Sequence, residues 1–170
     1  MKQKGRPRAA FDVSKDDWYN LRTVEVAMYI ERLNPDLPIS EDDVTRINEM
    51  LKLLNSEAPT ICLRRIMTVA RANTVLLARD DADRVIGMAI LVVITKMLST
   101  EGRVEEVIRH DSARGQHVGR LLMDEVHERA QAMGCSRIEL TSHPTRARAN
   151  QLYRSLGYIQ RETNVFRREL

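Results

Sequence analysis

The sequence predicts a mixed α+β domain: a central twisted mixed sheet of about six to seven strands flanked by helices. Three features point there. Short β-branched runs alternate along the chain with segments of helical period, the pattern of a domain built from sheet and helix layers. The longest apolar run, VIGMAILVVI at 85–94, is β-branched and too short for a membrane span, so it suits a buried strand. A chain of 170 residues fits one domain with one buried core.

Taken in order, a basic tail at 1–8 precedes a domain expected over 9–170. RAAFDV (8–13) reads as a first strand. DDWYNLRTVEVAMYIERL (16–33) follows with Trp18, Leu21, Val24 and Met28 at helical spacing behind Ser14 as N-cap. Two prolines in NPDLPIS (34–40) end that helix, and Ser40 with Asp43 three residues on starts another in the manner of a capping box. A further helix is expected from Pro59 to Ala70. TVLLAR (74–79), the polar turn DDAD and RVIGMAILVVI (84–94) form an antiparallel hairpin. Then come a strand at 103–109, a helix at 115–133, a strand at 136–142 and a helix at 145–156, with final strands near 158–161 and 164–169. Gly134 and Gly157 stand where helix C-caps belong.

Charge narrows the function classes. Lys and Arg total 27 against 24 Asp and Glu, and the two signs are interspersed, which describes a soluble surface rather than a nucleic-acid footprint. Only KGRPR (4–8) resembles a minor-groove hook, so nucleic-acid binding through the tail is a minor alternative. The basic N-terminus lacks the apolar stretch of a secretory signal, and Cys62 and Cys135 are too far apart for a disulfide framework, so a cytoplasmic protein is expected. His110, His127 and His143 do not have metal-ligand spacing, and no metal is expected.

The stretch that carries chemistry is RGQHVGR (114–120), between a strand end and a helix start. A helix N-terminus offers unpaired backbone N–H groups and a partial positive charge, and glycines let an anion approach them closely. Gly115 and Gly119 supply that access, and Arg114 and Arg120 add cations suited to a pyrophosphate or ribose phosphate. Val118, Leu121, Leu122, Val126 and Met133 form the apolar face behind the loop.

EEVIRHDSARGQHVGRLLMDEV (105–126) resembles the acetyl-CoA site of the GNAT superfamily of N-acetyltransferases, whose loop reads Gln/Arg-x-x-Gly-x-Gly/Ala. Arg114 and Gly119 match its first and last positions, while His117 replaces its central glycine. LTSHPTRARANQLYRSLGYI (140–159) resembles the family's next strand, helix and Leu-Gly-Tyr/Phe turn. The resemblance covers roughly residues 9–170, the amino-terminal third only in outline.

The resemblance implies acetyl-CoA as acyl-donor co-substrate and an amine acceptor, and it allows a homodimer. It places the pyrophosphate on backbone amides of Arg114, Gly115, Gln116, His117, Val118, Gly119 and Arg120. The pantetheine arm would pair with the backbone of Val107, Ile108 and Arg109, Asn150 would contact coenzyme A, and Tyr153 would protonate the departing thiolate. A β-carbon at His117 restricts positive φ and close approach, whereas its imidazole could add a hydrogen bond to phosphate; both readings stay open. For a base taking the ammonium proton, Glu105 and Glu106 lie on the strand entering the site, and strand alternation would send them to opposite faces.

The expected activity is therefore direct, ternary-complex acetyl transfer to a primary amine. The alternative is a GNAT-like module that binds coenzyme A without turnover, as a sensor or interaction domain. Small molecules, peptide termini and protein lysines all remain open as acceptors.

Overall fold

The computed structural model describes residues 28–169. The strand expected at 8–13, Ser14, Trp18, Leu21, Val24 and the basic tail lie outside the described residues.

The chain is first followed into a strand, β1 (Tyr29–Arg32), where the sequence predicted the end of a helix. Pairing decides the matter: β1 runs antiparallel to β2 (Thr74–Arg79), from Tyr29 opposite Arg79 to Arg32 opposite Leu76. That tertiary ladder outweighs the helical spacing of the apolar residues before it. Between the two strands come α1 (Glu41–Leu54) and α2 (Leu63–Ala72). The expected capping box opens α1, with the Asp43 amide donating to Ser40 Oγ at 3.0 Å and the Ser40 amide donating to Asp43 Oδ2 at 3.3 Å.

β2 and β3 (Val85–Thr95) form the expected hairpin, and β4 (Thr100–Arg109) pairs antiparallel with β3. After α3 (Val118–Ala132), β5 (Ile138–Leu140) joins β4 in parallel, which makes the sheet mixed, in the order β1-β2-β3-β4-β5. α4 (Ala147–Ser155) follows. Gly134 and Gly157, just past α3 and α4, take φ of +74° and +86°, the left-handed conformation expected at helix ends.

β2 is buried along its whole length because it is covered on both faces. Val75 and Leu77 join Ile47 and Met50 of α1 and Ile66 and Ala70 of α2. Leu76 and Ala78 point the other way, to Val118, Leu122 and Val126 of α3. One polar network locks the first layer. The buried Arg79 guanidinium donates to Asp43 at 2.9 and 3.1 Å, to Glu31 at 2.6 Å and to the Asp83 carbonyl at 2.6 Å, tying β1, α1 and the β2–β3 turn together.

The strands expected at 158–161 and 164–169 do not form. That segment has no ladder partner; Arg161 reaches Glu139 of β5 at 2.8 Å, and Ile159, Val165 and Phe166 stay exposed. Five strands are therefore present among the described residues, below the expected count, in the mixed helix-flanked sheet that the sequence predicts.

Candidate active site

β4 and β5 pair only from Gly102 opposite Ile138 to Val104 opposite Leu140. β5 then stops, and β4 continues to Arg109 paired with β3 alone, its other edge without a strand partner. A cleft of about 780 Å³ opens there, between the end of β4, the 111–117 loop, the start of α3 and the start of α4. Val107, Ile108, Arg109, Arg114, Gly115, His117, Val118, Gly119, Arg120 and Tyr153, which the family resemblance groups, all line it. Gln116 and Asn150 do not border it.

The floor of the cleft is a sharp loop. A short 3-10 turn at Asp111–Ala113 leads into Gly115 at φ +87° and His117 at φ +56°. α3 starts at Val118, three residues later than expected, with His117 as its N-cap. The backbone N–H groups of Gly115, His117, Val118 and Gly119 find no acceptor among the described residues. They stand with the positive end of α3 beside them. His117 occupies a left-handed position that glycine adopts freely and a side chain does not, so the departure from the family loop falls on backbone strain.

A glycine the sequence pattern did not single out sets the height of this loop. Gly87 of β3 lies beneath α3, where an added β-carbon would come within 2.5 Å of Val118 Cγ1, 3.2 Å of Leu122 and 3.3 Å of the Ile108 carbonyl. The available signal was an isolated glycine inside a buried strand run, which marks close approach of another element. Gly119 does similar work between helices, since its β-carbon would meet Leu152 of α4 at 3.2 Å.

Tyr153 is at once cleft wall and core: it is 6 % exposed, and its ring meets Tyr158 edge-on at 5.9 Å. Burial pushes its phenol up from the ordinary value, and the charge of Arg146 pulls it back down. Arg146, at the N-cap of α4, was also not singled out in the sequence, and its Nη2 donates to the Val107 carbonyl at 3.2 Å. Asn150 donates to the carbonyls of His143 and Pro144 at 3.1 and 3.4 Å, which fastens the turn before α4.

The two glutamates depart from simple alternation. Glu105 lies opposite Ile90 and Ile108 opposite Met88, so Glu106 and Val107 together face Ala89 alone. This bulge places Glu106 at φ +52°. It also resets the faces: Val104 and Val107 pack on the α3 side, while Ile108 packs on the α1–α2 side. Glu105 pairs with Arg103 at 2.6 Å. Desolvation pushes the Glu106 carboxyl up and the Glu105 charge adds to it, against the pull of Arg65 in α2. Neither glutamate borders the cleft.

A second, larger opening of about 1200 Å³ lies between β5, the far end of α3, α4 and residues 158–165, beside the 2.9 Å bond between His127 Nε2 and the Tyr158 hydroxyl. Neither α3 nor α4 begins on it, since Val118 and Ala147 lie outside its lining. Among the described residues no helix is long and apolar enough to cross a membrane.

A profile of the acetyltransferase (GNAT) family matches residues 44–158, from α1 through the turn after α4. The chain belongs to this family. A probable glucosamine 6-phosphate N-acetyltransferase of Drosophila melanogaster is 31 % identical over 80 residues, which cover 45 % of this GNAT chain and 35 % of that protein. Among solved structures, a Trypanosoma brucei acetyltransferase superposes with a TM-score of 0.68 at 23 % identity, over 85 % of this chain and all of that one. An aminoglycoside N-acetyltransferase in complex with CoA gives 0.68 at 18 % identity, over 84 % and 95 % of the two chains. These two likenesses establish the GNAT fold.

Proposed function

We propose that this GNAT protein transfers the acetyl group of acetyl-CoA directly to a primary amine within a ternary complex. The observation that carries the proposal is the row of unpaired amides at Gly115, His117, Val118 and Gly119, at a helix start inside an arginine-lined cleft. Coenzyme A presents a pyrophosphate and a ribose phosphate, and such amides with Arg109, Arg114 and Arg120 suit that charge.

The free edge of β4 supports the rest. An extended pantetheine arm can add to Val107, Ile108 and Arg109 as a further strand, filling the gap left where β5 ends. An amide of that edge then polarises the acetyl carbonyl. The amine nitrogen attacks the carbonyl carbon, the C–S bond breaks, and Tyr153 gives its phenolic proton to the departing sulfur. Of the two glutamates, Glu106 better suits the task of accepting the ammonium proton through water, because its raised carboxyl is the stronger base.

The Drosophila relative is named for glucosamine 6-phosphate, so amino sugars come first among acceptors, before polyamines, amino acids, aminoglycosides and lysine peptides. Thiol release from acetyl-CoA on addition of each amine tests the proposal. Turnover with at least one of them is expected. Tight coenzyme A binding without turnover on any would identify a silent coenzyme A-binding module instead.

A further inference from the structure

We propose that Arg146 is the charge partner of Tyr153 and the donor sulfur, holding the negative charge that appears there when the acyl group leaves. The inference rests on the acetyl-CoA reading above and adds to it a residue that the resemblance, with its loop, Asn150 and Tyr153, does not name.

Position comes first. Arg146 begins α4, and Tyr153 lies seven residues on, two turns along the same helix face, with both lining one cleft. The half-buried Arg146 side chain crosses the gap between α4 and β4 to donate to the Val107 carbonyl at 3.2 Å. Val107 is two residues farther than Arg109 from the 114–119 loop, so the guanidinium is tethered beside the acyl end of a donor arm, away from its phosphates. A carbonyl oxygen has two lone pairs, so this tether and an arm hydrogen bond can share it.

Charge comes second. Arg109 and Arg114 both lie near Asp111, at 3.8 and 3.4 Å, but Arg146 has no carboxylate partner among the described residues. A half-buried cation without a counter-charge is costly until an anion arrives, and the tether selects which anion that is. The charge already reaches the phenol, since it opposes the upward push of burial on Tyr153.

The step balances as follows. The nitrogen–carbon bond forms, the carbon–sulfur pair leaves on sulfur, and the Tyr153 proton moves to that sulfur. The phenolate recovers a proton from solvent, to which the new amide nitrogen has released one. Negative charge thus passes from sulfur to phenol oxygen, within reach of one guanidinium throughout.

The test needs no acceptor. The thiol of coenzyme A bound to the full chain is titrated by its ultraviolet thiolate absorbance in the wild type, Arg146→Met and Arg146→Lys. The bound thiol should ionise about one pH unit lower in the wild type than in Arg146→Met, about tenfold in thiolate fraction, with Arg146→Lys in between. Arg109, Asp111, Arg114, Arg120 and Arg148 face the same cleft in every variant, so the difference isolates Arg146. Arg146→Gln replaces the Met variant should that one not fold. Coincident thiol titrations in saturated wild type and uncharged variant would overturn the inference alone. Absence of coenzyme A binding by the wild type would overturn the acetyl-CoA reading, and the inference with it.

Discussion

Val118 of α3 rests on Gly87 of β3 with no room for a β-carbon between them, since that atom would lie 2.5 Å from Val118 Cγ1. The loop amides reach the cleft at this height because β3 has no side chain there. Gly87→Ala is therefore expected to lift the start of α3, at about 1–3 kcal/mol of stability from overpacking. It should also weaken coenzyme A binding. Chemical denaturation and titration calorimetry check the two effects; unchanged values for both would show that α3 does not depend on this contact.

His117→Gly is expected to act in the opposite direction. The φ of +56° is strained for histidine and free for glycine, so the substitution should stabilise the fold by about 1 kcal/mol or less. Coenzyme A affinity should be equal or tighter, because every backbone donor is kept. A large loss of affinity by calorimetry would show that the imidazole itself holds a phosphate.

Acid should act through Asp43. Burial pushes this carboxyl up, but the Arg79 hydrogen bonds and charge, with the Ser40 bonds, together hold it below its ordinary value. A depressed folded value contributes stability above the unfolded value near about pH 4 and loses it as pH falls through the folded one. Arg79→Met leaves a buried carboxylate unpaired and is expected to cost about 3–5 kcal/mol near neutral pH. That difference should shrink as pH falls and be smallest below the depressed value of the paired Asp43, where the carboxyl is protonated in both proteins. Denaturant unfolding at several pH values measures it, and a pH-independent difference would remove Asp43 from the account.

Tyr153→Phe keeps the ring that packs against Tyr158 and loses only the hydroxyl. Turnover with an accepted amine should fall by about 10²- to 10⁴-fold while acetyl-CoA affinity stays nearly constant. Full activity in the Phe variant would leave Tyr153 as a core aromatic only.

Much of this was legible in the sequence where local signals and packing agree. β2 and β3 from Val85 to Leu91 are buried on both faces, and their continuous apolar runs show it. α3 and α4 end on glycines whose left-handed conformation only the structure displays, but whose positions mark the caps. β1 was hidden because Tyr29–Arg32 become a strand by pairing with β2, a contact across 40 and more residues that no local window contains. The segment after Tyr158 has strand-forming residues but no ladder to join. In the cleft, the loop residues were singled out because glycines and arginines at a helix start suit an anion, and the structure places them on one cleft. Gly87 and Arg146 were not, because each matters through what folding brings against it: a helix side chain for one, a distant carbonyl for the other. The bulge at Glu106 is likewise a property of register rather than composition.

The central claim is that the cleft between the free edge of β4, the 114–120 loop and α4 holds coenzyme A. A crystal structure of the full chain grown with coenzyme A tests it most directly. The account predicts pyrophosphate density against the amides of Gly115, His117, Val118 and Gly119, with the arm lying along Val107, Ile108 and Arg109. Ligand density confined to the second opening, beside His127 and Tyr158, would contradict it.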